Sequence, residues 1–578
     1  MATIFFKKYL IFVGILLIFY PVSVLGETCT TIVAGGRLSD EIWTKEGAPY
    51  CIDGDIQINS LEIKPGVKVA FLGDYSFEIL GILKATGTED EQIIFTAADT
   101  NEIGWQGIYF NQCFPATEFS YCKVEKSHNS GIEIYNASPK IIHCEISDNS
   151  AKYGAGIKIS GANPVTLSDC VIRDNSFWGA HPRGGGVYTS AKLIMNRCEV
   201  INNKIADRHD GNCWSGSAST LGGGIYSTAE LVLNDVLVMG NQASSNGGTE
   251  NSRGGGVYVT GPFTCNKSVI ANNIADAGGC NLGGGARGYG GGVYIGSTVS
   301  MMNSIIANNS TRTSGGGIYA VSGAQGTIQN CTIVFSNYPG GITAYSGIHV
   351  LNSIIYFNSS YQISGNFEIT YSDVEGCIDG IGNICAHPLL IANTEDPSTY
   401  MIPETSPCVD AGNPDAQYND VCFPPSRGTE RNDIGAHGGA GICPDIPILL
   451  KASAGPDKII CNTICDKVVL DGRKSYARNS EIVSYDWVLD HEDDLCDKSS
   501  SGQTPTIANL CSGNYYVMLT VTNDKDQTAT DDMKLIVLET CNPCSIMQGD
   551  FDSDGDVDGD DLRIFSGHYG INDILIPH

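Results

Sequence analysis

One repeat, with one constant and one variable spacing, limits what this chain can fold into. Small-glycine motifs followed by an apolar residue stand at Gly154-Ala155-Gly156-Ile157, Gly184-Gly185-Gly186-Val187-Tyr188, Gly222-Gly223-Gly224-Ile225-Tyr226, Gly254-Gly255-Gly256-Val257-Tyr258, Gly290-Gly291-Gly292-Val293-Tyr294 and Gly315-Gly316-Gly317-Ile318-Tyr319. An apolar-x-x-Asn motif alternates with them and ends at Asn149, Asn175, Asn203, Asn241, Asn273, Asn309, Asn337 and Asn358. From the first glycine to the next such Asn the distances are 21, 19, 19, 19, 19 and 22 residues. From Asn to the next glycine they are 5, 9, 19, 13, 17 and 6. One arc of every repeat is therefore fixed in length, and one corner absorbs the insertions.

Within the fixed arc, β-branched runs such as Val269-Ile270, Ser304-Ile305-Ile306 and Cys331-Thr332-Ile333-Val334 read as strands bounded by Gly and Asn turns. Neither arc has helical periodicity. Strands recurring at this interval without helices between them stack in parallel as a β-solenoid. Glycine supplies positive φ at the corners, and a recurrent Asn can bond the backbone of the turns above and below. Successive turns lie about 4.8 Å apart. Cys144, Cys170 and Cys198 each sit five residues before a turn Asn and so fall in one row. Three stacked thiols cannot all pair, and buried thiols filling a narrow core remain the alternative.

These features resemble the right-handed parallel β-helix repeat family, with a pectin-lyase-like fold. The N-terminal stretch shows it in Trp43-Thr44, Pro49-Tyr50, Ile63-Lys64-Pro65-Gly66, Gly81 to Ala85 and Trp105-Gln106-Gly107-Ile108. The terminal segment shows it in Ser406 to Pro414 and Asp433-Ile434-Gly435-Ala436. The resemblance implies a β-helix over residues 27–440, its ends capped by the first coil and the terminal segment. The fold serves lyases, hydrolases, adhesins and surface proteins alike.

Residues 1–26 place Lys7 and Lys8 ahead of an apolar run from Tyr9 to Tyr20, the pattern of a secretory signal peptide. No later stretch approaches the roughly 20 apolar residues of a spanning helix. The 22 cysteines at irregular intervals suit an oxidising compartment, and the 69 glycines suit turn-rich β architecture. A net charge of −30 without any Lys/Arg run argues against nucleic-acid binding.

Insertions leaving one corner form a flank, and the flank of a repeat protein is often its binding face. Trp178, His181, Arg183, Trp214, Arg253, Arg287 and Tyr289 are the candidate substrate-binding residues: flat aromatic faces for sugar rings, cations for hydroxyl or uronate groups. Asp207, Arg208, His209 and Asp210 are the catalytic candidates. Cys213 and Cys280 are candidates to staple two of these loops. Neither a pectate-lyase-like arginine motif nor a polygalacturonase-like Asn-Thr-Asp motif is present.

Residues 450–540 change pattern. Val468-Val469-Leu470-Asp471-Gly472, Ser484-Tyr485-Asp486-Trp487 and the alternating run Gly513 to Asn523 resemble the PKD-type immunoglobulin-like sandwich, with Trp487 as its core tryptophan. In residues 545–578, Asp550, Asp552, Asp554, Asp556, Asp558 and Asp561 follow EF-hand ligand order around Gly555, with Asp556 offering its carbonyl. Oxygen-only ligands at that spacing suit calcium. Asp561-Leu562 resembles a dockerin half-repeat, which implies a cohesin-like partner; dockerins carry two such loops, and one is present here.

The expected fold is thus all-β: a right-handed parallel β-helix solenoid, an immunoglobulin-like β-sandwich and a short calcium-binding loop-helix. The expected function is a secreted, extracellular protein that binds polysaccharide or surface glycan. If it is an enzyme, it is a polysaccharide lyase or glycoside hydrolase. The alternative is a non-catalytic adhesin or structural protein of the cell surface.

Overall fold

The computed structural model describes residues 29–538 apart from 208–218, 246–250, 278–286 and 440–449, with short breaks at 338, 346, 392–395, 423–424, 456–457, 462–466, 474, 478–480, 492–495 and 526. Described residues of 1–231, 241–250 and 278–285 form one compact unit, and those of 232–240, 251–277 and 286–578 form a second. Both are built of strands and turns; the helical segments among the described residues are single 3₁₀ turns.

In the first unit, short strands stack in parallel from Thr31–Val33 and Tyr50–Ile52 through Cys122–Glu125, Glu145–Ser147 and Val171–Arg173 to Glu199–Ile201. A second face stacks Ile132–Tyr135, Ile157–Ser160, Val187–Thr189 and Ile225–Ser227. A third stacks Lys140–Ile142, Val165–Ser168 and Leu193–Asn196. The second unit repeats the scheme, with Leu237–Met239, Val269–Ala271, Ile305–Ala307, Thr332–Val334 and Ile354–Tyr356 as one ladder. Inward side chains alternate with outward ones, as in Ile157 and Ile159 against Lys158 and Ser160.

The expected asparagine ladder is present and buried. In the first unit Asn149, Asn175, Asn203 and Asn241 donate through Nδ2 to the carbonyls of Val124, Ile146, Ile172 and Val200 at 2.8–3.1 Å. Each Oδ1 accepts the backbone N–H of the preceding rung: Asn175 N to Asn203 at 3.1 Å, Asn203 N to Asn241 at 3.0 Å. In the second unit Asn273 and Asn309 do the same. Two details differ from the sequence reading. The left-handed backbone lies one residue earlier, at Asp148, Asp174, Asn202, Asn272 and Asn308, with φ of 55° to 56°. And Asn337 is exposed: Ser336 takes the rung, its backbone N–H donating to Asn358 Oδ1 at 2.9 Å, while its own hydroxyl has no partner among the described residues.

Only the first glycine of each motif has positive φ, as at Gly184 with 65°. The third is needed for close approach: a Cβ on Gly186 would lie 2.9 Å from Asn203 Nδ2 and from Gly224 O. The cysteine row gains a fourth member, since Cys122 precedes Lys123, which is in register with Glu145. All four thiols are buried and free. Cys144 donates to Ile142 O at 3.3 Å and Cys170 to Ser168 O at 3.1 Å. They are core-filling groups, and burial pushes Cys144, Cys170 and Cys198 well up from the usual thiol range. The disulfides among the described residues include Cys29–Cys51, Cys377–Cys385 and Cys496–Cys511.

The terminal segment lies back along the second unit's coils. Asn303 and Asn330 donate to carbonyls of Ala436 and Asp433 at 3.1 Å each, and Tyr400 meets Asn308 Nδ2 at 3.1 Å. Its loops are held by buried aspartates: Asp433 accepts from the backbone N–H of Asp410 and Arg427 at 2.8 and 2.7 Å, and Asp420 from those of Asp433 and Gly439. Burial raises Asp420 to about 7 and Asp433 to about 6, and lowers His437 to about 4.

Residues 458–538 form an antiparallel five-stranded sheet, Lys458–Cys461 pairing in parallel at its edge, with smaller pairs Leu450–Lys451/Tyr476–Ala477 and Lys467–Val469/Thr506–Ala508. Trp487 is fully buried among Val468, Leu470, Leu519 and Leu535, and its Nε1 donates to Gly502 O at 3.0 Å.

Asn203→Ala strands several buried backbone and amide groups at once, so urea unfolding should show a loss of roughly 3 kcal/mol. Asn337→Ala, outside the ladder, should stay within about 0.5 kcal/mol. For the cap, a carboxylate raised in the folded state adds stability that is full below its unfolded pKa and lost as pH rises through the folded one. His437 acts in the opposite sense only below its usual 6.5, so it is silent above it. Amide-exchange protection of residues 425–439, corrected for intrinsic rate, should therefore fall between about pH 6.5 and about 8, and Asp420→Asn should flatten that slope.

Candidate functional site: the insertion flank and an ionic groove

The insertion corner is not a set of simple loops. In the first unit the insertions begin as strands: Ser176–Trp178, Lys204–Asp207 and Gln242–Ser245 stack in parallel, and Ser219–Leu221 returns the chain. In the second, Asn251–Arg253 pairs with Arg287–Tyr289 and Ile274–Ala277 with Ser310–Thr311. Lys204–Asp207 thus belongs to a strand where the sequence reading placed a loop.

Within the first unit three of the binding candidates share this corner. Trp178 is 61% exposed. His181 is exposed and donates its backbone N–H to Asp207 Oδ2 at 3.0 Å. Arg183 is in register with Tyr153, lies 5.3 Å from the Tyr226 ring centroid and donates to the Tyr226 hydroxyl at 3.0 Å. Tyr153, which precedes its glycine motif, and Tyr188 and Tyr226, which follow theirs, form a column: Tyr153 and Tyr188 stand 5.6 Å apart, Tyr188 and Tyr226 5.1 Å apart and nearly parallel. Lys152 sits 5.3 Å from the Tyr153 centroid. In the second unit Arg253 is in register with Tyr289 and lies 5.5 Å from the Tyr294 centroid, while Arg287 donates to the Tyr289 hydroxyl at 3.4 Å. Tyr258 and Tyr294 stack at 4.9 Å.

Asp207 is fully buried, its side chain pointing inward from its strand. Arg208, His209, Asp210, Trp214, Cys213 and Cys280 lie outside the described residues, as do the calcium candidates Asp550, Asp552, Asp554, Asp556, Asp558 and Asp561. Among the described residues no group of three or more His, Cys, Asp or Glu side chains converges to hold a metal.

A second site was missed by sequence reasoning. On the outer face of the first unit's short-strand ladder, Lys123 meets Glu125 at 2.8 Å and Glu145 at 3.7 Å. Arg173 meets Glu145 at 2.6 Å and Asp174 at 2.7 Å. Thr96 donates to Glu125 at 2.9 Å. Burial works against both cations, and the facing carboxylates outweigh it, so Lys123 and Arg173 are held charged more firmly than in water. Beside this cluster runs a groove of about 450 Å³ lined by Asp99, Glu102, Lys126, His128, Asp148 and Ser150. His128 Nε2 lies 2.5 Å from Asp74, and burial together with Asp174 raises Asp148. The signal was available: Lys123, Glu145 and Arg173 sit one, one and three residues after Cys122, Cys144 and Cys170.

Residues 88–286 match the family described as right handed beta helix region. Residues 454–537 match a PKD domain family. The chain carries a right-handed parallel β-helix and a PKD domain. It is similar to the solution structure of the PKD domain from KIAA 1837 protein, at 28% identity and TM-score 0.13, covering 16% of this chain and 92% of that one. It is also similar to that of the PKD domain from human KIAA0319, at 21% identity and TM-score 0.15, covering 19% and 98%. No curated protein sequence matches it. Among the described residues no helix is long and apolar enough to cross a membrane.

Glu145 bridges both cations of the cluster. Glu145→Gln should cost about 1 kcal/mol in chemical unfolding, and the difference should shrink in high salt.

Proposed function

We propose that this chain is a secreted, extracellular polysaccharide-binding protein whose β-helix flank makes the contact. The observation that supports this most is the insertion corner of the first unit, where Trp178 is 61% exposed and Tyr153 38% exposed. There Lys152 stands over the Tyr153 ring, and Arg183 is in register with it. Flat apolar rings beside cations suit sugar faces and their hydroxyl or acidic substituents. The disulfides and the PKD domain fit an oxidising, extracellular setting. In this reading residues 1–26 direct export. Asp550, Asp552, Asp554, Asp556, Asp558 and Asp561 bind calcium in a dockerin-like tail that offers a contact to a cohesin-like protein.

The burial of Asp207 favours a second reading, in which binding proceeds without cleavage and the chain acts as a surface adhesin or structural protein.

Affinity electrophoresis of the mature protein against uronate-rich and neutral polysaccharides, with and without calcium, should show retardation by at least one. Trp178→Ala and Tyr153→Ala should weaken it roughly threefold to tenfold each. Unchanged mobility in both variants refutes the flank. New reducing ends or unsaturated products would restore the enzyme reading over the adhesin.

A further inference from the structure

On the insertion side of the second unit a row of contacts joins two guanidinium groups to a set of phenol rings. Arg287 is exposed and donates through Nη1 to the Tyr289 hydroxyl at 3.4 Å. Tyr289 packs on Tyr319, ring centroids 4.7 Å apart, and the Tyr319 hydroxyl donates to that of the exposed Tyr345 at 3.4 Å. On its other side Tyr319 stacks on Tyr294 at 5.4 Å, and Arg253 lies 5.5 Å from the Tyr294 centroid.

This surface is rich in donors and poor in acceptors. The Tyr289 oxygen accepts from Arg287 and the Tyr345 oxygen from Tyr319, so among the described residues neither hydroxyl proton has an acceptor. The other N–H groups of Arg287 have none either, and Arg253 Nε is buried without a partner. The titratable groups near enough to act on Arg287 are Tyr289 and Tyr319, and those acting on Tyr294 are Arg253 and Tyr289, with no carboxylate among them. Residues 278–286, which lead into Arg287, contain no acidic side chain. In a chain with 64 acidic and 34 basic residues, this face reverses the prevailing sign.

A neutral hydroxyl brings a donor with every acceptor and leaves the guanidinium charge unanswered. An oxyanion brings acceptors only, and a guanidinium takes it in two parallel bonds. The exposed ring of Tyr345 requires a flat apolar face beside that oxyanion, which a sugar ring supplies. We propose that Arg287, Tyr289 and Tyr345, backed by Tyr319 and Arg253, form a second glycan site that selects sugars bearing an oxyanion, as a carboxylate or a sulfate ester. The proposal rests on the polysaccharide reading above and adds to it a charge class and a site outside the first unit.

The test is affinity electrophoresis of the mature full chain in chelator against dextran, dextran sulfate and polygalacturonate; the chelator keeps calcium from bridging the polyanions to the tail. With a net charge of −30 the chain as a whole is repelled by both polyanions, so retardation by either reports a local site. At least one polyanion should bind roughly tenfold more tightly than dextran, and the preference between the two assigns the oxyanion as sulfate ester or carboxylate. Arg287→Gln should weaken this binding about tenfold and Tyr345→Ala roughly threefold to tenfold. Both positions are exposed, so the fold is kept. Lys140→Gln, which removes an exposed cation of the first unit, should change it by less than about twofold. Retardation no stronger than that by dextran, or binding unchanged by Arg287→Gln or by Tyr345→Ala, overturns the proposal. The polysaccharide reading fails separately: it falls when no polysaccharide retards the chain, and it stands without this site when Trp178→Ala weakens binding and Arg287→Gln does not.

Discussion

A buried asparagine that bonds the coil on each side of it is the contact on which the solenoid depends. Its Nδ2 reaches back to a strand carbonyl one coil away, as Asn203 does to Ile172 at 2.9 Å, and its Oδ1 receives a backbone N–H, as from Asn175 at 3.1 Å. Both bonds require neighbouring coils to carry the asparagine at one height and one depth. That fixes the contour from glycine corner to asparagine, because a residue gained there would turn the inward face outward. The corner after the asparagine has no such bond to preserve, and extra length costs little where a surface loop takes it up.

This is why the repeat could be read so directly while its neighbours could not. Gly184, Asn203 and their equivalents are each nearly the only residue type that does the job, so chemistry shows in the letters. The left-handed residue before each rung tolerates more: Asp148, Asn202 and Phe335 all occupy it, with φ of 53° to 56°. No single letter marks it. Asn337 misled for the opposite reason, since the right letter stood one place from a rung that Ser336 holds through its backbone N–H alone. In the row five residues before the rung, Cys198 and Ser304 are interchangeable small donors, each bonding the carbonyl two residues earlier, at 3.3 and 2.8 Å.

The candidate site was less legible because burial and register decide it. Asp207 stands beside Arg208, His209 and Asp210 in sequence, a run that reads as solvent-facing chemistry. Pairing with Gln242–Ser245 sets its parity, and parity turns it inward with Ile205. The Lys123, Glu145 and Arg173 cluster is hidden for the converse reason: its members are separated by a full coil or more in sequence and meet only when the coils stack.

Stacking also decides which aromatic residues of the flank can meet a ligand. A ring inside a column gives each face to a neighbour, and Tyr226 spends one on Tyr188 and lies under Arg183, leaving it 4% exposed. Such a ring stiffens the flank and has no free face to stack on a sugar. Exposed ring surface belongs to residues at a column's end or off it: in the first unit Tyr153 is 38% exposed and Trp178 61% exposed, and in the second Tyr345 is 54% exposed and meets Tyr319 edge-on at 6.2 Å. The glycine-associated tyrosines are therefore best understood as the rigid backing of the flank, and under the proposed reading recognition falls to the few aromatic side chains that keep exposed surface.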